Sequence, residues 1–304
     1  MLCSLYRDFL KVRKDMNGAL LFEIFGGDIG MGKINIQMYS FMDGKHDDSR
    51  ENLRLAAQMG YDGVEMFGPD FQIPAEEMKQ LTQELGLQIV SMHVPDKNQI
   101  VPMLPYANTV GCHFVGLSSE LLRDEADAHR WAKELNEYGK ACKEAGCMMI
   151  YHNHTQEFLS CGDKRIIDIL LDETDPELVG FELDAGWCAA AGFDPVEHVQ
   201  RYSGRIKLVH VKESSEVIGV QPPIDFDKVE WVDGKPVFTP EIQAMLAHAR
   251  EINCPACEGL VDWKKLKEVA DANGCQAYIV EREYSVGDRV EMLTEDLRRY
   301  REVI

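Results

Sequence analysis

The feature that most constrains this chain is a repeated alternation. A short apolar run is followed by a polar loop and then by an amphipathic stretch, eight times over. The apolar runs are Ile34 to Met38, Gly63 to Met66, Gln88 to His93, His113 to Leu117, Met148 to His152, Val179 to Leu183, Ile206 to Val211 and Ala277 to Val280. The runs alternate little within themselves, as expected of strands buried on both faces. Helical segments are predicted at Ser49 to Met59, Ala75 to Leu85, Gln99 to Val110, Glu125 to Ala145, Lys164 to Leu171, Pro195 to Tyr202, Trp263 to Ala272 and Val286 to Tyr300. Pro74 suits a helix start, and Gly86 and Gly146 suit helix ends. Eight β units, each leading to a helix, predict an α/β chain closed as a (β/α)8 barrel. A doubly wound sheet is the rival, but no Gly-x-Gly-x-x-Gly loop follows the first run.

Two stretches fall outside the rhythm. Residues 1–32 precede the first strand and end in the glycine-rich Gly26-Gly27-Asp28-Ile29-Gly30. They read either as an N-terminal extension outside the 33–304 barrel or as residues ahead of a true start at Met31. Ala19 to Phe22 is too short for a signal-peptide core. Between the seventh and eighth strands, residues 212–276 exceed the roughly 25 to 35 that a plain barrel connection needs. Asp233-Gly234 between apolar residues signals a hairpin, and Glu241 to Ile252 reads as a helix. Residues 213–261 are therefore expected to form an insertion over the barrel mouth, as a lid or a partner surface.

Charge and cysteine use narrow the setting. Against 32 Lys and Arg stand 52 Asp and Glu, a formal charge of −20. Such an acidic surface argues against nucleic-acid and anionic-membrane partners, and no apolar run approaches the roughly 20 residues of a membrane span. Nine cysteines, an odd count in a large chain, are expected as free thiols in a reducing, cytoplasmic setting. Cys254-Pro255-Ala256-Cys257 lacks the second pair that a zinc site usually needs.

Active sites of such barrels form at the C-terminal ends of the strands. Those ends carry Gln37, Glu65, His93, His152, Asp184, His210 and Glu281. Buried ionisable groups are costly unless paired or bound to metal, so seven polar residues at equivalent positions, six of them ionisable, point to a functional mouth. Asp184, His210 and Glu281 supply two carboxylates and an imidazole from adjacent strands, a set suited to a divalent cation, with Mn²⁺ expected first and Mg²⁺, Co²⁺ or Zn²⁺ also accommodated. Strand alternation lets Glu182 point inward beside Asp184. For a fourth ligand, position favours His152 and the oxygen preference of a hard cation favours Glu157. The expected set is Glu157, Asp184, His210 and Glu281, with His152, His154 and Lys212 left for proton transfer. Glu65, His93 and Trp187 are candidates for substrate contact. Arg282 and Glu283 read either as part of the mouth or as a surface ion pair.

These phrases also resemble a known family. Met59-Gly60-Tyr61-Asp62-Gly63-Val64-Glu65, Tyr151-His152-Asn153-His154 with Glu157-Phe158, Glu182-Leu183-Asp184, His210-Val211-Lys212-Glu213, Cys257-Glu258-Gly259 with Asp262-Trp263, and Val280-Glu281-Arg282-Glu283 are similar, in order and spacing, to the xylose isomerase-like barrels of the sugar phosphate isomerase/epimerase family. The resemblance covers about Lys33 to Ile304. It implies a metal held by Glu, Asp, His and Glu from strands five to eight, matched here by Asp184, His210 and Glu281, while His152 stands where the strand-five Glu is usual. Cys257-Glu258-Gly259 departs from the common Gly-Glu-Gly or Gly-Asp-Gly. The Tyr-His-Asn-His form resembles a branch of inosose dehydratases and lyases acting on 3-keto-sugars and 3-keto-glycosides. The implied activity is metal-dependent sugar isomerisation or epimerisation by proton removal next to a carbonyl. Dehydration or glycoside elimination is the alternative. The partner is then a small sugar or keto-sugar, in a homo- or hetero-oligomer. A non-catalytic barrel subunit of a hetero-oligomer is the reading from another class.

Terminal segments outside a repeat usually contribute few core contacts. A chain beginning at Met31 is therefore expected to fold and melt like the full chain. A melting temperature lower by more than about 5 °C, roughly 1–2 kcal/mol in a domain of this size, would show that residues 1–30 belong to the fold.

Overall fold

A computed structural model describes residues 12–14, 20–22, 33–232, 235–284 and 286–304. Eight parallel strands close into a barrel: β1 (Ile34–Gln37), β2 (Gly63–Phe67), β3 (Gln88–His93), β4 (Phe114–Leu117), β5 (Met148–His152), β6 (Val179–Asp184), β7 (Ile206–Val211) and β8 (Ala277–Val280). Each strand pairs with its neighbours in sequence, and β8 closes on β1 with Ile279 opposite Asn35. The expected barrel is present.

Around it run α1 (Ser49–Met59), α2 (Ala75–Leu85), α3 (Ile100–Val110), α4 (Glu125–Glu144), α5 (Ile166–Glu173), α6 (Ala185–Ala190), α7 (Pro195–Arg201), α8 (Pro240–Glu251), α9 (Trp263–Ala272) and α10 (Arg289–Tyr300). Local chemistry sets their ends. Asp48, Asp124, Asp262 and Asp288 each accept a backbone N–H from the first turn of their helix. Helix α1 stops at Gly60, whose φ of 95° lies in the left-handed region that an L side chain avoids.

Two helix starts and one added turn differ most from the sequence reading, other ends shifting by a residue or two. The fifth helix starts at Ile166 because Lys164–Arg165 pair with Ser160–Cys161 as a small hairpin. The last helix starts at Arg289, after the Asp288 cap. The additional turn α6 follows β6 directly, because the Asp184 carboxylate caps the N–H of Trp187.

Side chains of period two fill the barrel interior. Val90, Phe114, Ile150, Leu208, Ala277 and Ile279 form a dry layer. Two residues further along β5, β7 and β8 stand His152, His210 and Glu281. The register of β2 on β3 slips between Val64 and Glu65, so Val64 faces Ile89 while Glu65 faces Ser91. This bulge lets Val90 join the dry layer while Ser91 still reaches Glu65. The larger core lies between the strands and the helices.

In the long β7–β8 connection, Glu230–Val232 pairs antiparallel with Lys235–Val237. The Asp233-Gly234 turn read from the sequence lies outside the described residues, as do most of residues 1–32, where Val12–Lys14 pairs with Leu20–Phe22. The root of the connection is sewn to the mouth side of the barrel. Ile218 N and Gly219 N donate to Ala190 O at the end of α6, and Gln221 N donates to Thr155 Oγ1 beyond β5. The described cysteines are all free thiols, Cys254 and Cys257 among them. Among the described residues, no helix is long and apolar enough to cross a membrane.

One partly buried pair ties two outer helices together. Arg165 Nε and Nη2 both donate to Asp168 at 2.8 Å, and the Tyr202 hydroxyl donates to the same carboxylate. Burial pushes the Asp168 carboxyl up, but the bonds from Arg165 and Tyr202 outweigh it and hold it at about 2. The folded value lies below the unfolded one. The stabilisation is therefore complete above the unfolded value and is lost as the pH falls towards 2. Asp168→Asn should lower the unfolding free energy by about 2 kcal/mol at pH 7. In urea titrations the gap to the parent should narrow between pH 5 and pH 3. A gap independent of pH would contradict the assignment.

Candidate active site

The site is built in two tiers above the dry layer. In the lower tier, two carboxylates lie fully buried, Glu65 from β2 and Glu182 from β6. Glu65 accepts from Gln37 Nε2 at 2.5 Å and from the Ser91 hydroxyl, and its Oε1 stands 2.7 Å from His210 Nε2. Glu182 Oε2 lies 2.7 Å from His93 Nε2 and 3.1 Å from His152 Nδ1. Glu182 Oε1 is buried without a partner. The donor atoms of His93, His152, Glu182 and His210 all fall within 4.8 Å of one another.

The upper tier faces the mouth. His210 Nδ1 is 3.5 Å from Glu281 Oε2 and 4.0 Å from Asp184 Oδ2. Asp184, His210 and Glu281 form the second close group of donor atoms. Lys212, two residues beyond His210 and 1% exposed, sets its Nζ 2.6 Å from Glu283 and 3.5 Å from Glu281, beneath the Trp187 ring at 4.7 Å. A cleft of about 390 Å³ opens above, lined by Tyr39, Phe67, His93, His152, His154 and Glu281 among others.

The structure brings together His93, His152, Asp184, His210, Lys212 and Glu281 as expected. It places other expected residues differently. Glu65 sits under the histidines with both oxygens engaged, and it does not line the cleft. Trp187 likewise does not line the cleft and instead covers Lys212. Glu157 accepts from Tyr151 OH and His154 N at 2.8 Å and from Gln156 Nε2 at 2.9 Å, and neither close donor group includes it. The surface-pair reading of Arg282 and Glu283 is corrected. Arg282 is buried and pairs with Asp296 at 2.6 Å, while Glu283 pairs with Lys212. Consecutive residues after a strand point opposite ways, one outward to α10 and one inward to the mouth.

Ser91 escaped the sequence reading as a site residue, whereas Glu283 takes the mouth position that was one of its two readings. Ser91 carried a signal, being polar within an apolar strand and two residues before His93, on the same face.

Charge settles which groups hold protons. Burial pushes the Glu65 carboxyl up, but His93 and His210 outweigh it and hold it at about 2. Burial lifts Asp184 to about 7 against the pull of Lys212 and His210. Burial, reinforced by His210, His154 and His93, drives His152 well below its ordinary value. Burial also lowers His154, opposed by Glu157. Burial would lower Lys212, but Glu283, Glu281 and Asp184 more than offset it and keep the ammonium charged. Against burial, Glu65 and Glu182 raise His93, and Glu182 and Glu65 lift His210 well above its ordinary value. Two imidazoles held towards the neutral form, His152 and His154, thus stand beside two held towards the charged form.

Residues 53–303 match the model of the xylose isomerase-like TIM barrel family, and the chain belongs to that family. It is 25% identical over 197 residues to an inosose dehydratase of Geobacillus kaustophilus, a match covering 56% of this chain and 63% of that protein, under two thirds of its length. A sugar phosphate isomerase/epimerase from Parabacteroides distasonis has the same fold, with a TM-score of 0.65 at 22% identity over 90% of this chain and 94% of that one. A probable 3-DHS dehydratase from Bacillus anthracis superposes with a TM-score of 0.61 at 16% identity, over 88% of this chain and 97% of that one.

The bonds around Glu157 predict a structural cost for its removal. Glu157→Ala strands three donors and should lower the unfolding free energy by roughly 2–4 kcal/mol. A change within about 0.5 kcal/mol in urea unfolding would show that Glu157 does not hold the 153–158 loop.

Proposed function

We propose that this chain is a divalent-metal-dependent enzyme that removes the proton next to the carbonyl of a sugar or keto-sugar, as an isomerase or epimerase does. The observation that carries the reading is the pair of orphaned atoms at the mouth. Asp184 Oδ2 and His210 Nδ1 are buried without a hydrogen-bond partner, and both face Glu281. Two carboxylates and an imidazole converge there. Although Lys212 donates to Glu281, the Asp184 oxygen and the His210 nitrogen have no partner among the described residues, which is the chemistry of a cation site.

Asp184, His210 and Glu281 would hold the ion. For the fourth position, geometry favours His152, whose Nε2 is 3.8 Å from Asp184 Oδ2, over Glu157, whose oxygens already accept three hydrogen bonds. When bound, Mn²⁺ or a similar ion supplies an electrophile for the carbonyl and neighbouring hydroxyl oxygens of the substrate. His154, half-buried at the cleft, is the base that takes the carbon-bound proton. Lys212, kept charged by Glu281 and Glu283, holds positive charge against the developing negative oxygen. Tyr39 and Phe67, whose rings pack edge to face 5.3 Å apart, offer an apolar wall for a sugar face.

Return of the proton to the other face gives epimerisation, and return to the adjacent carbon gives isomerisation. Dehydration is the second reading, favoured by the inosose dehydratase match, with His152 or His154 beside Lys212 as the acid for a departing hydroxyl.

The purified protein should carry near one divalent ion per chain. Asp184→Ala should lose it, His152→Ala should weaken it, and Glu157→Gln should keep it. NMR in D2O with Mn²⁺ and a panel of ketoses, inososes and 3-keto-glucosides should show deuterium entering next to the carbonyl, and His154→Gln should abolish this while keeping the ion. Exchange without loss of a group means isomerase or epimerase, whereas released water or aglycone means lyase. Full ion occupancy in Asp184→Ala, or no exchange with any substrate of the panel, would overturn the proposal.

A further inference from the structure

The lower tier has a role that the mouth residues do not explain. An imidazole has two nitrogens, and in its neutral form only one carries a proton. At His210 the two face opposite tiers. Nε2 points down at Glu65 Oε1, 2.7 Å away, and Nδ1 points up towards Asp184 and Glu281. Nδ1 can bind a cation only if it presents a lone pair, and in the neutral ring that places the proton on Nε2. A carboxylate at Nε2 accepts that proton, while an amide nitrogen or hydroxyl hydrogen there would compete for the opposite tautomer.

Glu65 is placed to be that acceptor, although its other oxygen also stands 3.4 Å from His93 Nε2. It is 0% exposed, and both oxygens are occupied from the protein side. Gln37 Nε2 donates to Oε1 and the Ser91 hydroxyl donates to Oε2. Gln37 is itself pinned, since its Oε1 accepts from Tyr39 N at the start of the turn after β1. The carboxylate therefore cannot rotate away from His210, and two donors favour its ionised state. The burial of a carboxylate at this depth is costly unless it is paired, and His210 is the partner that pairs Glu65 at its Oε1.

We infer that Glu65 is a positioning residue, which through a fixed Nε2–H bond turns the Nδ1 lone pair of His210 to the mouth. This rests on the reading of Asp184, His210 and Glu281 as a cation site. It replaces the expectation that Glu65 touches substrate, because three protein groups already occupy its oxygens. Outer carboxylates of this kind raise ligand basicity, and their loss typically weakens metal affinity 10- to 100-fold.

The test is chelator-competition titration of Mn²⁺ and Zn²⁺ on the full chain, together with ¹⁵N-histidine NMR of the Zn²⁺ form. In the parent, His210 should show a protonated Nε2 and a metal-bound Nδ1. Glu65→Gln should weaken both ions roughly 10- to 100-fold. Glu65→Asp separates geometry from charge. It keeps the negative charge but withdraws the oxygen, so it should also lose at least several-fold in affinity, whereas a purely electrostatic role would leave it close to the parent. Ser91→Ala, which removes one latch on Glu65, should give a smaller loss with the circular dichroism unchanged, and it serves where the Glu65 variants do not fold. A parent with His210 bound through Nε2, or Glu65 variants that bind as tightly as the parent, would overturn the inference while leaving the cation site standing. A parent that binds no ion, or binds it independently of Asp184, would overturn the cation site and the inference with it. A second ion per chain, lost in His93→Ala and retained in Asp184→Ala, would also overturn it, by making the lower tier a ligand shell of its own.

Discussion

His210 sits between two layers of carboxylate, and the rest of the site is arranged around that fact. Glu65 and Glu182 lie below it and Asp184 and Glu281 above it. Four acidic side chains this close would repel one another strongly in a dry barrel. The lower pair is offset by His93 and His210, and Glu281 by Lys212 and His210. Asp184 Oδ2 is left without a bonded partner. On the proposed reading, a cation at the mouth would complete the electrostatics of the upper tier, much as the charged imidazoles complete those of the lower one.

The barrel makes this layering possible because strand periodicity is rigid. Ile150 and His152, Leu208 and His210, and Ile279 and Glu281 occupy successive inward positions on three strands. The change from a dry floor to a polar tier therefore happens at one height around the ring. The Val90 bulge adjusts β3 to the same plan, bringing Ser91 to Glu65 and His93 to Glu182. Above the ring, the turns after the strands are shaped by the same acidic residues. Asp184 caps α6, and Glu157 folds back the loop after β5. One carboxylate thus serves both chain geometry and the site, and the other serves the loop.

The architecture was largely legible in the sequence because each strand-to-helix unit carries its own signals: apolar runs, a capping Asp and a terminal Gly. The strand-end residues were legible for the same reason, since position in a barrel strand implies position in the mouth. What the sequence hid was depth and direction. Glu65 and His93 both read as strand ends, yet β2 runs on to Phe67. Glu65 therefore lies level with Ser91, enclosed by Gln37, Ser91 and His210, while His93 lines the cleft. Glu157 looked like a ligand by charge and spacing, but a tyrosine hydroxyl, a glutamine amide and a backbone N–H converge on it. Arg282 and Glu283 are adjacent in sequence and separate in space, because a strand end turns successive side chains to opposite faces. Donors that arrive from other strands leave no mark in local spacing.

The central claim is that Asp184, His210 and Glu281 form a cation site at the mouth, with His210 acting through Nδ1. Anomalous diffraction at the manganese edge from crystals grown with Mn²⁺ tests it most directly. The account predicts a single strong peak at bonding distance from Asp184, Glu281 and His210 Nδ1, with Glu65 still on His210 Nε2. A peak among His93, His152 and Glu182, or no peak in the barrel, would contradict it.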